Sequence, residues 1–161
     1  MSAKPPEMSG PTPGFLVWRL SMKWRVAVDR ALAPLDLTHA KYALLASLYG
    51  MTAGGSTPSQ RQLADHTGLE ALYVSKLVRS LETSGLLERT KDPTDSRAVR
   101  LALTAQGRTT ATEAITVVQA LLDDLLTPLG GLTGPGTAAF TRDLRTLLDV
   151  PLTPPTKEPS P

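Results

Sequence analysis

The stretch Ser59–Gly85, SQRQLADHTGLEALYVSKLVRSLETSG, decides the fold. Ser59-Gln60-Arg61-Gln62 is a Ser-x-x-Gln capping box, which predicts a short helix carrying Leu63 and Ala64 inward. Gly68 breaks it. A second helix follows, with Leu69, Val74, Leu77, Val78 and Leu81 recurring at helical spacing, and it stops at Gly85. Two short β-prone runs come next, Leu86–Arg89 and Val99–Leu103, separated by the polar loop Lys91-Asp92-Pro93-Thr94-Asp95-Ser96-Arg97. A short helix, a sharp turn, a second helix and a charged hairpin form a winged helix-turn-helix, an arrangement that presents side chains to duplex DNA.

Composition sets the bounds. At 161 residues, with 41% apolar residues, the chain suffices for one ordinary core, and 4% aromatics leaves Leu, Ala and Val to fill it. A net charge of +2 with a pI near 9.1 permits nucleic-acid binding without demonstrating it, so charge placement has to carry the argument. The absence of cysteine excludes disulfides, thiolate metal sites and sensing by cysteine oxidation. His39 and His66 are too far apart in sequence to suggest a metal site, and no cofactor is expected. The N-terminus lacks the apolar segment of a signal peptide, and no run approaches the roughly 18 apolar residues of a membrane span. A soluble, cytoplasmic protein without membrane association is expected.

Outward from the central stretch, residues 14–33 form a first helix that is apolar over much of its circumference, ended by Pro34. A helix of this kind needs more than one partner. Thr38 caps a second helix, His39–Tyr49, and Thr52–Pro58 is a loop by composition. Thr104 caps a long helix from Ala105 to about Leu126, with an apolar stripe at Ile115, Val118, Leu121, Leu122, Leu125 and Leu126. After a glycine cluster, a last helix over Thr137–Val150 places Phe140, Leu144, Leu147 and Leu148 on one face. The expected organisation is a Pro-rich disordered tail over 1–13, a single domain over 14–150 and a second Pro-rich disordered tail over 151–161. Within the domain, 37–104 is the winged helix-turn-helix, and 14–36 and 105–150 are flanking helices that pair two copies into a dimer. The fold class is mainly α with a small β-hairpin wing.

On the second helix of the helix-turn-helix, Tyr73, Ser75, Lys76 and Arg79 remain outward near the front and middle, the part that enters a major groove. Lys and Arg read guanine edges or hold phosphates, and hydroxyls do either more weakly. At the loop tip, Asp95 stands two residues before Arg97 and could brace its guanidinium for a narrow minor groove; alternatively Asp-Pro-Thr-Asp is simply a good turn. Ser59 and Gln60, at a helix start, could add a phosphate contact through backbone N–H groups. Arg89 and Arg100 flank the hairpin and either touch phosphate or pair with Glu88 or Asp92.

Leu81-Glu82-Thr83-Ser84-Gly85-Leu86-Leu87-Glu88-Arg89, then Asp92–Arg97, then Leu103-Thr104-Ala105-Gln106-Gly107, together with Leu37-Thr38, closely resemble the signature of the MarR family (multiple antibiotic resistance regulators) over roughly residues 14–150. The resemblance implies a triangular homodimer built on the terminal helices. It also implies repression, or sometimes activation, at palindromic promoter DNA. It puts a minor-groove arginine at Arg97, an orienting aspartate at Asp95 and the recognition helix over residues 70–84. Two departures stand out: Ser96 occupies a position where many relatives carry a second basic residue, and Leu72 and Tyr73 stand where small polar residues are usual.

Many members of that family release DNA on binding small aromatic or phenolic compounds. Here Trp18, Arg19 and Met22 on the first helix, with His39 and Tyr42 on the second, are the candidate effector pocket; Trp and Met at helical spacing are equally what a core requires. An enzyme is not expected: the glycines at 130–136 follow a helix rather than a strand and lack a Gly-Lys-Ser/Thr, and no catalytic constellation stands out. The remaining rival is a winged helix that binds DNA without a ligand or serves as a protein-interaction module. Salt dependence separates DNA binding from a protein contact.

Overall fold

The computed structural model describes residues 10–152; residues 1–9 and 153–161, most of the tails expected over 1–13 and 151–161, lie outside them. The elements run α1 (Pro13–Leu32), α2 (His39–Thr52), α3 (Gln60–Thr67), α4 (Ala71–Thr83), β1 (Leu87–Lys91), β2 (Val99–Leu103), α5 (Ala105–Leu126) and α6 (Pro135–Leu148). Single 3-10 turns follow α1 at Ala33–Leu35 and α5 at Thr127–Leu129. The fold is mainly helical with one two-stranded antiparallel hairpin, as the sequence predicts. The chain divides into two compact units at Gln119/Ala120, within α5.

The first unit holds the helix-turn-helix and its wing. Its core is Val28 and Leu32 of α1, Leu44, Leu45 and Leu48 of α2, Leu63 of α3, Val74, Val78 and Leu81 of α4, with Leu87 and Leu101 from the strands, all essentially without exposure. Local chemistry fixes the helix ends. The Ser59 hydroxyl accepts from the Gln62 N–H (3.1 Å) while Gln62 Oε1 accepts from the Ser59 N–H (2.8 Å), so the capping box is complete. Gly68 adopts a left-handed conformation (φ 69°) and stops α3. α4 closes with a Schellman motif: Leu86 N–H donates to Leu81 O at 3.0 Å and Gly85 N–H to Glu82 O at 2.9 Å, with Gly85 at φ 73°. This use of Leu86 explains why β1 begins at Leu87, one residue later than expected.

Three other boundaries move for equally local reasons. α1 begins at Pro13, because the Thr12 hydroxyl accepts from Phe15 N–H (3.2 Å) and proline suits the first helical position. α2 runs on to Thr52, whose buried hydroxyl donates to Leu48 O at 2.8 Å. The apolar stripe expected on α5 is covered only in part: Val118 and Leu126 are buried, whereas Ile115, Leu121, Leu122 and Leu125 are half-buried, and the small residues Ala111 and Ala114 pack inside instead. In the second unit, Asp123 Oδ1 accepts from Leu132 N–H (2.7 Å) and the Thr137 hydroxyl donates to Gly131 O (2.7 Å), which holds the glycine-rich turn against the start of α6. Proline at the first position starts α6 at Pro135, two residues before the expected Thr137.

Candidate nucleic-acid interface

α4 packs on α2 and α3 through Val74, Leu77, Val78 and Leu81, and this burial dictates which of its residues face out. Lys76, Arg79 and Tyr73 are exposed, and Ser75 is half-buried. Among the described residues, Arg61, Lys76, Arg79 and Arg97 have no ion-pair partner. All four are exposed, one on α3, two on α4 and one on the wing, so their charge meets solvent.

The wing is built around a carboxylate that the sequence assigned a lesser part. β1 and β2 pair from Leu87↔Leu103 to Lys91↔Val99, and Asp92 N–H continues the ladder to Ala98 O at 3.0 Å. The Asp92 carboxylate is buried beneath the loop. Its Oδ1 accepts from the Thr94 hydroxyl (2.7 Å), Thr94 N–H (2.7 Å) and Asp95 N–H (3.1 Å), and its Oδ2 accepts from Arg100 Nε. These bonds, led by the Thr94 hydroxyl, hold the Asp92 carboxyl well below the usual carboxylate range. Arg100 reaches onward, its Nη1 donating to Thr57 O at 2.8 Å. The backbone follows the same path: Leu101 N–H donates to Pro58 O at 2.9 Å, and Ser59 bridges Arg100. The loop before α3, expected to be only a loop, therefore ties the wing to the helix-turn-helix.

Of the two roles open to Arg100, the structure takes the pairing with Asp92. Arg89 pairs with Glu82 of α4 (2.7 Å), not with Glu88. Asp95 requires a correction: its Oδ1 accepts from the Arg97 backbone N–H at 2.9 Å, and the structure records no bond from Asp95 to the guanidinium. A carboxylate two residues before an amide reaches that amide first, as in any Asx turn. Asp95 thus shapes the loop tip, and Arg97 extends from it exposed.

Ser59, Gln60, Asp95 and Arg97 line a single groove of about 760 Å³, together with Arg61 and Asp65 of α3, Ala71 at the start of α4 and Val99 of β2. Tyr73, Ser75, Lys76 and Arg79 lie farther along α4 and do not line it. Two exposed residues were left out of the predicted contacts: Arg61, in the groove, and Leu72, singled out only as a departure from the family pattern and 85% exposed on α4. The helical period would have placed Leu72 on the outward face, since it lies four residues before Lys76. Trp18, Arg19, Met22, His39 and Tyr42 line neither this groove nor a smaller cavity of about 150 Å³ lined by Leu35, Leu37, Lys41, Leu81, Leu86 and Gln106, among others. Among the described residues no cluster could hold a metal ion, and no helix is long and apolar enough to cross a membrane.

The model of the MarR family matches residues 35–98, from the turn before α2 through the wing tip. An HTH-type transcriptional regulator of Bacillus subtilis, YdcH, is 42% identical over 115 residues, 70% of this chain and 78% of the relative. The chain belongs to the MarR family. It is a helix-turn-helix transcriptional regulator, not an enzyme. Among other MarR relatives, the Mycobacterium tuberculosis transcriptional repressor Rv2887 is 31% identical over 134 residues, covering 83% of this chain and 91% of the relative. The Rv2887 complex with salicylic acid superposes at a TM-score of 0.62 with 29% identity, covering 86% of this chain and 98% of that one. The Staphylococcus aureus MepR–DNA complex superposes at 0.76 over 86% of this chain and 98% of that one; at 22% identity it establishes the likeness of fold.

Proposed function

We propose that this MarR-family regulator is a repressor that binds palindromic promoter DNA as a homodimer and is released by a small aromatic or phenolic effector. The observation that carries the DNA reading is the set of exposed cations without an ion-pair partner among the described residues: Lys76 and Arg79 on the outward face of α4, and Arg97 at the wing tip, lining one groove with Ser59 and Gln60. α4 enters the major groove, where Tyr73, Ser75, Lys76 and Arg79 meet base edges and phosphates. Arg97 enters the adjacent minor groove, with Asp95 setting the loop that carries it. Ser59 and Gln60 meet phosphate at the start of α3.

Residues 14–36 and 105–150 serve as dimerisation segments and 37–104 as the DNA module. What supports the dimer is exposed apolar surface that a lone chain leaves in water: Phe15, Leu16, Val17, Trp18 and Leu20 on α1, and Leu144, Leu147 and Leu148 on α6. The effector site is assigned to Trp18, Arg19 and Met22 of α1 with His39 and Tyr42 of α2. Burial pushes the Tyr42 phenol up and the His39 imidazole down, the latter partly opposed by Asp29. Both side chains are therefore neutral at pH 7 and suited to hydrogen-bond an aromatic acid or phenol. The salicylic acid complex of Rv2887 is consistent with that chemistry.

Fluorescence anisotropy on the DNA upstream of its own gene, against a scrambled duplex at two salt concentrations, tests the reading. Tight binding to the native duplex that weakens steeply with salt is expected, since phosphate contacts release counterions. Salicylate, added to the preformed complex, should lower the anisotropy. Absence of binding to either duplex would refute the proposal.

A further inference from the structure

Leu72, Lys76 and Arg79 follow i, i+4, i+7 spacing and so form one line along α4, on the side away from the buried Val74, Leu77, Val78 and Leu81. Leu72 heads this line in the first turn, 85% exposed. The core closes without it, and it lines neither cavity. An apolar protein partner is a poor occupant for the stripe, because covering Leu72 would also desolvate the unpaired charges of Lys76 and Arg79.

Duplex DNA meets the same surface on better terms. The N-terminal turn of a recognition helix is the part set against base edges. In the major groove those edges offer donors and acceptors at every base pair, and one apolar group, the C5-methyl of thymine. A leucine pressed on any other edge strips water from polar atoms and returns no hydrogen bond. Against the methyl it buries apolar surface on both sides, while Lys76, one turn on, and Arg79 remain free for guanine or phosphate.

We infer that Leu72 is a specificity-determining residue that reads the C5-methyl of a thymine in the major groove, so the preferred duplex carries thymine beneath the first turn of α4. The inference rests on the reading of α4 as the recognition helix.

The test begins with selection of duplexes from a randomised pool by the full-length chain. Each thymine of the enriched sequence is then replaced singly by deoxyuridine, which removes only the methyl group. Dissociation constants are measured for the wild type and for Leu72→Ala, a variant expected to keep its fold because the side chain makes no core contact. At one position in each half-site the wild type should lose about fourfold in affinity, the worth of one buried methyl, and Leu72→Ala should lose nothing. At the remaining thymines both proteins should respond alike. 5-Methylcytosine at the sensitive position should bind the wild type better than cytosine does and make no difference to Leu72→Ala. An enriched sequence with no thymine methyl coupled to Leu72 would overturn the inference and leave the recognition-helix reading intact. Failure to enrich any sequence would overturn that reading, and the inference with it.

Discussion

Gly107 offers a test in which local propensity and tertiary geometry predict opposite signs. It lies in the first turn of α5, where alanine in place of glycine normally stabilises a helix by about 0.8–1.0 kcal/mol. A Cβ at this position, however, would stand 1.8 Å from Leu86 O and 2.8 Å from Leu86 C. The obstacle is backbone, so the helix start or the chain at Leu86 must move by more than an ångström. Overpacking of this kind costs about 1–3 kcal/mol. The same movement loosens two hydrogen bonds, Thr104 N–H to Leu86 O (3.2 Å) and the Thr104 hydroxyl to Gly85 O (2.7 Å), each worth about 0.5–1.5 kcal/mol. Against the propensity gain, the net is a destabilisation of about 1–5 kcal/mol, with a middle value near 3. For a chain of this length that lowers the melting temperature by roughly 5–10 °C. Gly50→Ala is the control: it lies in α2 with nothing within 4 Å of its added Cβ, so the same substitution should stabilise. The assay is thermal melting by circular dichroism at one fixed protein concentration. A Gly107→Ala melting temperature equal to or above that of the wild type would refute the close approach of α5 to Leu86.

Three further outcomes are expected. Arg97→Ala should weaken operator binding by about 1–3 kcal/mol and leave the melting temperature unchanged, since the side chain is exposed and unpaired; Lys76→Ala and Arg79→Ala should behave alike, and unchanged affinity in all three variants would eliminate the assigned face. Asp92→Asn should lower stability at neutral pH, and the gap to wild type should close as the pH falls. The folded-state pKa of Asp92 lies below its unfolded value, so its stabilisation is complete above about pH 4 and is lost as acid protonates the folded carboxylate; a gap independent of pH between neutrality and pH 2 would contradict the network at that carboxylate. Truncation after Thr127 removes α6 with its exposed Leu144, Leu147 and Leu148, and should give a monomer by sedimentation; a persistent dimer would dismiss that interface.

The parts of the fold legible in the sequence are those whose cause lies within a few residues. Ser59 and Gln62 cap one another, Gly68 and Gly85 supply the left-handed stops, and Thr104 caps α5 by accepting from Gly107 N–H at 2.9 Å. The buried face of α4 follows from its period. What escaped the sequence depends on groups far apart along the chain. Nothing near Thr57 or Pro58 announces that their carbonyls accept from Arg100 and Leu101, more than forty residues on, yet those bonds fix the wing against α3. Gly107 was legible as part of a family-like run, but the reason for glycine there, the backbone of Leu86, was not.

The wing shows how chain geometry, rather than sequence spacing, divides the work among charges at one turn. Asp92, Asp95, Arg97 and Arg100 all stand out as charges at a turn, and the shortest sequence spacing suggests pairing Asp95 with Arg97. Chain geometry decides otherwise. At a spacing of two, the carboxylate meets the backbone N–H before the long arginine side chain can fold back, so Asp95 orders the loop and leaves the guanidinium free. At a spacing of eight, across the two strands, Asp92 and Arg100 meet beneath the loop, where the carboxylate is buried and gathers Thr94 and Asp95 as well. The buried pair therefore fixes where the loop tip sits, and the Arg97 side chain is left exposed. On the proposed DNA reading, such a wing separates position from contact: Asp92 and Arg100 determine where Arg97 emerges, and the exposed Arg97 side chain is the one available to a groove.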